Sequence, residues 1–232
     1  NTILGTETIS STGLSTFSTG LLAIGSHTIT ATYQPTDIFK ATTATLTQVV
    51  NGEATTTNLT CSPTSIPVSS TALLGATVTS AYGTPTGSIA FTDNGSTLAA
   101  QPLSSGTTSL TYTGQIAGTH TLTATYVPTG AFSASSAFCS EVVTALPTTS
   151  VLTVTPATST YSSPVTLTAT ISPATPPGPS TLSGAVTFYN GATAIGTGTL
   201  AGGVATVTLS TLPGGSDNLT CVYGGSCIYA TS

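Results

Sequence analysis

The sequence predicts an all-β protein made of small β-sandwich domains joined in tandem. Three observations support this prediction: a nine-residue segment recurs at the spacing of whole domains, apolar and hydroxyl side chains alternate, and turn residues punctuate the chain. Val, Ile and Thr are abundant, whereas no stretch repeats its apolar residues with the period of an amphipathic helix. The chain is therefore expected to consist of strands and turns.

The recurring segment is GSHTITATY at residues 25–33, which returns as GTHTLTATY at residues 118–126 and, in altered form, at residues 215–223. Successive copies begin 93 and 97 residues apart. This spacing is too long for a solenoid repeat and suits a row of whole sandwich domains.

Within each copy the side chains alternate between a buried and a wet face. Ile29, Ala31 and Tyr33 fall on one side of the strand, and threonines fall on the other. By the same pattern the second domain has predicted strands at residues 57–61, 73–80, 88–92, 97–101, 109–113, 120–126 and 137–143. The dipeptide Asn-Gly at residues 94–95 and again at residues 190–191 is typical of tight hairpin turns.

Alignment of the copies divides the chain into three units. Residues 1–50 form a partial domain with C-terminal strands only, residues 55–144 form a complete domain, and residues 149–232 form a domain that lacks its last strand. The linkers are only a few residues long, so we expect the domains to stack end to end as a stiff rod. An incomplete sandwich leaves backbone groups unpaired. Either the sequence is an excerpt of a longer repetitive polypeptide, or strands of a neighbouring subunit complete the domains.

The composition excludes several classes of partner. Charged residues make up 3% of the chain, Lys40 is the only cation, and the formal net charge is −5. Without cations the chain has no means to neutralise nucleic-acid phosphates or anionic lipid head groups. No apolar run has the length of a membrane helix, and the mean hydropathy of +0.37 reflects missing charges. We therefore predict no nucleic-acid partner and no membrane insertion.

The few titratable residues do not suggest an enzyme, a cofactor site or a metal site. His27 and His120 begin equivalent strands, and Asp217 replaces them in the third copy, which favours an ordinary polar strand start. A hydrolase needs paired acids or a nucleophile with an oriented base. The carboxylates are instead scattered along the chain, at Glu7, Asp37, Glu53, Asp93, Glu141 and Asp217. A calcium site that uses Asp93 or Glu53 at a domain junction is conceivable, but oxygen ligands are sparse.

Four cysteines suggest two disulfide bonds. Cys61 falls on the inward face of a first strand and Cys139 on a last strand, and these strands are commonly neighbours in sandwiches, so we predict a Cys61–Cys139 bridge. Cys221 and Cys227 are the remaining pair, and two glycines between them allow the chain to turn back. The alternatives are buried free thiols or an intermolecular bridge. Structural bridges imply an oxidising, extracellular location.

Two further sets of residues recur on the strands. Tyr33, Tyr126 and Tyr223 end equivalent strands and are interpreted as core tyrosines whose hydroxyls reach the rim, with sugar stacking as the alternative. Sequons place candidate glycosylation sites at Asn58, Asn94 and Asn218. The exposed Thr and Ser faces offer further sites for O-linked sugar.

The motif set resembles the bacterial immunoglobulin-like repeat domains, which occur in tandem in large secreted and cell-surface proteins. The resemblance rests on GAVTFYNG at residues 184–191, on residues 195–200 and 203–206, and on the recurring segment first seen at residues 25–33. It covers essentially the whole chain. It implies immunoglobulin-like β-sandwiches of Greek-key topology with a role as spacer, stalk, fibre or adhesin segment, and it carries no shared catalytic residues.

These observations predict a structural building block of an extracellular fibre, filament or surface stalk that acts as a stiff, inert spacer. The alternative is an adhesin or carbohydrate-binding accessory segment of a large secreted protein. We expect secretion or display at the cell surface, covalent glycans, and either self-association into a filament or continuation as a longer repeat chain.

Overall fold

The computed structural model describes residues 2–36, 38–173 and 182–232. All the regular elements in these ranges are strands, which confirms the all-β prediction. None of the described residues belongs to a helix of the length and apolarity needed to cross a membrane.

The first region contains a single antiparallel hairpin. Strands β1 (Gly25–Tyr33) and β2 (Thr42–Val50) pair along their whole length, with Ile29 opposite Leu46. The recurring segment therefore forms the strand that its alternation predicts.

The second domain is a sandwich of two sheets. Its strands are β3 (Thr56–Ser62), β4 (Ser65–Pro67), β5 (Thr71–Thr79), β6 (Gly87–Asp93), β7 (Ser96–Pro102), β8 (Thr107–Thr113), β9 (Gly118–Pro128) and β10 (Ser136–Thr144). One sheet has the order β3-β5-β8 and the other the order β4-β10-β9-β6-β7. Consecutive strands thus change sheets repeatedly, as expected of the Greek-key sandwich that the sequence predicts.

The third domain repeats this plan with fewer strands. These are β11 (Thr148–Thr155), β12 (Val165–Pro173), β13 (Ala185–Asn190), β14 (Thr193–Thr199), β15 (Val204–Leu209) and β16 (Leu219–Tyr223). They form the sheets β11-β12-β15 and β14-β13-β16. Among the described residues β16 pairs only with β13, whereas the equivalent β9 lies between β6 and β10. The expectation that residues 149–232 lack a last strand stays a prediction.

Two cores fill the space between the paired sheets. Inward positions of β5 alternate strictly with exposed ones, and Leu74 on this strand is completely buried. Phe91 and Leu122 face it from the second sheet. In the third domain Leu167 and Phe188 are buried in the same way. Because each strand places every second side chain between the sheets, the alternating sequence specifies the core.

All seven predicted strands of the second domain form, and one strand was missed. The missed strand is β4, which covers three residues and pairs in parallel with the end of β10. Ile66 is its one buried side chain. A single apolar residue next to prolines carries no periodic signal, so pattern analysis does not detect such a strand.

Candidate functional site

A disulfide bond joins the two sheets of the second domain. Cys61 on β3 is bonded to Cys139 on β10, with a Cα–Cα distance of 6.1 Å and a sequence separation of 78 residues. The two strands are those that the sequence predicts to be neighbours. The loop closed by this bond contains nearly the whole domain, so the bond ties the first strand of the domain to its last.

The prediction of a disulfide bond between Cys221 and Cys227 is wrong, because both residues are free thiols in the structure. Cys221 lies on β16 and packs against the core of the third domain, where burial raises the pKa of its thiol. Cys227 is exposed, and its carbonyl oxygen accepts a 2.7 Å hydrogen bond from the Ala117 N–H of the preceding domain. Cys227 is therefore held toward the neighbouring domain, whereas Ser232, further along the chain, exchanges backbone hydrogen bonds with Tyr223 at the end of β16.

A cluster of polar side chains lies at one end of the core of the second domain. Asp93 ends β6 and lies 2.9 Å from Nδ1 of His120, near the start of β9. Tyr112 donates its hydroxyl proton to the same carboxylate at 3.1 Å. Nε2 of His120 lies 2.9 Å from the carbonyl oxygen of Ile116. Both imidazole nitrogens thus face acceptors, and only the doubly protonated ring donates to both.

Glu141 is the most unusual member of this cluster. It lies on β10 opposite His120 in the strand register, and it is completely buried. Neither of its carboxylate oxygens has a hydrogen-bond partner. Burial raises the pKa of Glu141 above its ordinary value, and the nearby His120 partly offsets this rise. Burial, together with Asp93 and Glu141, also raises the pKa of Tyr112. The core therefore favours a neutral, protonated Glu141.

The cluster corrects the expectation that no acids and imidazole gather. Asp93, His120 and Glu141 are 48 residues apart at most, yet three different strands bring them together. The register of the hairpin was the available signal, because His120 and Glu141 occupy the positions of His27 and Gln48 in the first hairpin. The prediction that the histidines are ordinary polar strand starts therefore misses the partners of His120.

The third domain has an amide–carboxylate contact at the same place. Asn190 stands in the place of Asp93, and its amide donates a 2.6 Å hydrogen bond to Asp217, which stands in the place of His120. Across the described residues no group of three or more His, Cys, Asp or Glu side chains is arranged to hold a metal ion. The cluster of the second domain is thus an arrangement of proton donors and acceptors.

The junction between the second and third domains is fastened by backbone hydrogen bonds. The Leu146 N–H donates to Ile228 at 2.7 Å, and the Ala230 N–H donates back to Leu146 at 2.8 Å. The side chains of Leu146 and Ile228 pack against both cores. With the Ala117 to Cys227 hydrogen bond, the loop before the end of the third domain contacts the linker and the preceding domain at once.

The linker before the second domain is fastened by the same device. The Glu53 N–H donates to Ala131 at 2.7 Å, and the Ser133 N–H donates back to Glu53 at 2.8 Å. A side chain at Gly52 would lie 2.9 Å from the backbone of Phe132, so only glycine lets the linker approach this closely. Glu53 is therefore engaged through its backbone, and among the residues that the structure describes no group of three or more potential metal ligands includes it.

The tyrosines that recur at the ends of equivalent strands are core side chains in the second and third domains. Tyr126 and Tyr223 are completely buried. Their hydroxyls donate to the backbone carbonyls of Thr86 at 2.6 Å and Ser183 at 2.7 Å. Tyr33 on the first hairpin remains partly exposed. These rings are packed side chains with satisfied hydroxyls, which leaves no face for sugar stacking on Tyr126 or Tyr223.

The three candidate glycosylation sites occupy different settings. Asn58 is exposed on β3. Asn94 has a positive φ of 46° in the β6–β7 turn, and its side-chain oxygen accepts a 3.0 Å hydrogen bond from the Thr121 N–H. Asn218 is exposed just before β16.

Of the scattered carboxylates, Asp37 lies outside the described residues.

The profile of the bacterial Ig-like domain (group 3) matches residues 59–144 and 152–232, which together are more than half of the chain. The chain belongs to this family. The match confirms the resemblance drawn from the repeated motifs, and its two copies in tandem agree with the second and third domains. No curated protein matches the chain.

Solved structures resemble the chain in fold only. The fibronectin(III)-like modules of Clostridium thermocellum CbhA are 16% identical, with coverage of 75% of this chain and 90% of that chain, and a TM-score of 0.31. The human OSCAR ligand-binding domain is 15% identical, with coverage of 79% and 96%, and a TM-score of 0.29. A bacterial ice-binding adhesin is 16% identical, with coverage of 74% and 59%, and a TM-score of 0.29. Likenesses at this level carry no argument about function.

Proposed function

We propose that this tandem of bacterial Ig-like domains is a stiff mechanical spacer of an extracellular or cell-surface repeat protein. The carrying observation is the position of the Cys61–Cys139 disulfide within the path of a pulling force. Tension enters the second domain at its first strand and leaves at its last, and the disulfide links those two strands directly. The load therefore bypasses the residues between the cysteines.

This arrangement limits how far the second domain can lengthen. Only the short segments outside Cys61 and Cys139 can extend while the bond is intact. Reduction releases the 78-residue separation, which at full extension adds about 260 Å of chain. A domain that resists lengthening suits a spacer, because its task is to hold its two ends at a fixed distance.

The surface and the linkers support the same role. The described strands present mainly Thr and Ser to solvent, and charged residues make up 3% of the chain. Both linkers are fastened to the domain that follows them by paired backbone hydrogen bonds. Family membership and the disulfide favour an oxidising location outside the cytoplasm. Non-catalytic action, covalent glycans, and either self-association into a filament or continuation as a longer repeat chain are parts of this proposal.

Single-molecule force spectroscopy tests the proposal. The chain is pulled from both ends, first under oxidising conditions and then with a thiol reductant. We expect the second domain to release only a short length when oxidised and about 260 Å more when reduced. A variant with both Cys61→Ser and Cys139→Ser serves as the matched control and should give the long release without reductant. A full-length release from the oxidised native chain would contradict the mechanical role.

A further inference from the structure

The buried carboxyl of Glu141 lies at the end of the second domain that adjoins the third domain. His120, directly opposite Glu141 in the strand register, contacts the carbonyl oxygen of Ile116 at 2.9 Å. The next residue, Ala117, donates its N–H to Cys227 of the third domain at 2.7 Å. The Ile116 carbonyl and the Ala117 N–H belong to the same peptide group, so one peptide group contacts both the cluster and the junction.

The second connection runs along β10. Glu141 lies two residues before the buried Val143 and five residues before Leu146, which packs against both cores. A change in packing around Glu141 is therefore transmitted to the linker along a single strand, as well as through the loop that contains Ile116.

We propose that Glu141, His120 and Asp93 form a proton-sensitive brace that holds the junction with the third domain most firmly in acid and loosens it as the pH rises. In acid, a neutral Glu141 fits the apolar core, next to the His120 ring that contacts Asp93 and the Ile116 carbonyl. At higher pH, an ionised Glu141 is buried without a hydrogen-bond partner.

The titratable groups around Glu141 come from three strands. Tyr112 on β8 and His120 on β9 interact with it, and Asp93 on β6 contacts both of these side chains. From β3 only Cys61 is titratable by type, and it is held in the disulfide. Strands β4 and β5 carry no titratable side chain. Burial is the main reason why the pKa of Glu141 is raised, and His120 is the neighbour that partly offsets the rise.

The sign of the pH effect follows from proton binding. An acid whose pKa is raised by folding binds more protons in the folded state than in the unfolded state at intermediate pH. Stability is then complete below the ordinary pKa of 4.5 and falls as the pH rises through the folded value. For each unit by which folding raises the pKa of Glu141, the folding equilibrium constant is tenfold lower above the folded pKa than below the unfolded pKa. The brace does not depend on the proposed spacer role, because it concerns the second domain and its junction in any context.

The first experiment measures chemical unfolding of the second domain in the full chain between pH 4.5 and pH 8. We expect the stability of the native chain to fall across this range. The Glu141→Gln variant should lose most of this pH-dependent fall in stability. At pH 8 the variant should be more stable than the native chain. The first hairpin already pairs Gln48 with His27 in the same register, so this substitution suits the backbone. An unchanged pH profile in Glu141→Gln, or a native profile that is flat or rises with pH, would overturn the proposal.

Two measurements on the native chain need no core substitution. Carbon-13 NMR of the Glu141 carboxyl should show titration above 4.5, and titration at or below that value would overturn the proposal. Hydrogen exchange of the Ala117 amide, corrected for its intrinsic pH dependence, should be faster at pH 8 than at pH 5. Equal protection at both values would show that the cluster does not control the junction. Gln48→Glu on the exposed first hairpin is the matched control and should leave the stability profile unchanged.

Discussion

The β1–β2 hairpin and the β9–β10 hairpin share a sequence motif and a strand register but differ in their surroundings. Leu122 on β9 is completely buried, whereas Ile29 at the equivalent position of β1 is only half-buried. Cys139 on β10 is bonded to β3, whereas Leu46 in its place is 58% exposed. Strand pairing is therefore encoded within the hairpin, and burial is supplied by the remainder of the sandwich.

The same comparison explains the two polar pairs. His27 and Gln48 face each other on the first hairpin, and Nε2 of His27 lies 2.6 Å from the carbonyl oxygen of Ala23. His120 and Glu141 repeat this geometry inside a closed core, where a carboxyl group replaces the amide. Enclosure by a second sheet thus converts a surface pair into a buried one whose protonation affects stability.

The largest expected difference between the hairpins comes from the disulfide. Replacement of both Cys61 and Cys139 by Ala removes a loop constraint that, at a separation of 78 residues, stabilises the second domain by about 4 kcal/mol. Denaturant unfolding of the oxidised native chain and of this variant measures the loss. Replacement of both Cys221 and Cys227 by Ala is the control and should cost far less. Equal losses for the two pairs would show that the disulfide contributes no constraint of its own.

The next difference concerns the buried aliphatic position. Leu122→Ala should destabilise the second domain by about 3 kcal/mol, because it opens a cavity in a closed core. Ile29→Ala, its counterpart on the open hairpin, should cost less than about 1 kcal/mol, because its side chain is already partly exposed. Thermal unfolding followed by circular dichroism distinguishes them. Similar losses at both positions would mean that the two hairpins are equally enclosed.

The smallest difference concerns the tyrosine at the end of the motif. Tyr126→Phe removes a 2.6 Å hydrogen bond to the Thr86 carbonyl and should cost about 1 kcal/mol. Tyr33→Phe, on the partly exposed equivalent, should leave the stability unchanged. Chemical denaturation of both variants provides the measurement, and a neutral Tyr126→Phe would rule out a stabilising role for that hydroxyl.

Periodicity and repetition predicted the strands because they are local properties of the chain. The alternation in residues 118–126 specifies both a strand and its buried face, and the placement of Cys61 and Cys139 on first and last strands identified neighbours. Contacts that depend on three-dimensional proximity were not predicted. Asp93 reaches His120 only after β6 and β9 pair, and Glu141 joins them only through β10.

The pairing of Cys221 with Cys227 was expected from sequence proximity and flexible glycines. In the structure this loop makes hydrogen bonds with another domain and with the linker, since Ala117 donates to the Cys227 carbonyl and Leu146 donates to the Ile228 carbonyl. Sequence separation within a domain contains no information about that contact. Short β4 was missed for a related reason, since its pairing partner in β10 determines its conformation.

The most direct test of the stiff tandem is the distance distribution between spin labels on the second and third domains. Labels at Thr77→Cys and Thr206→Cys, in a chain with Cys221→Ser and Cys227→Ser, are measured by pulsed electron paramagnetic resonance with the native disulfide intact. A reference pair at Thr77→Cys and Ser140→Cys lies within the second domain. We predict a single interdomain distance with a distribution as narrow as the reference. A broad distribution between the domains beside a narrow reference would contradict the account.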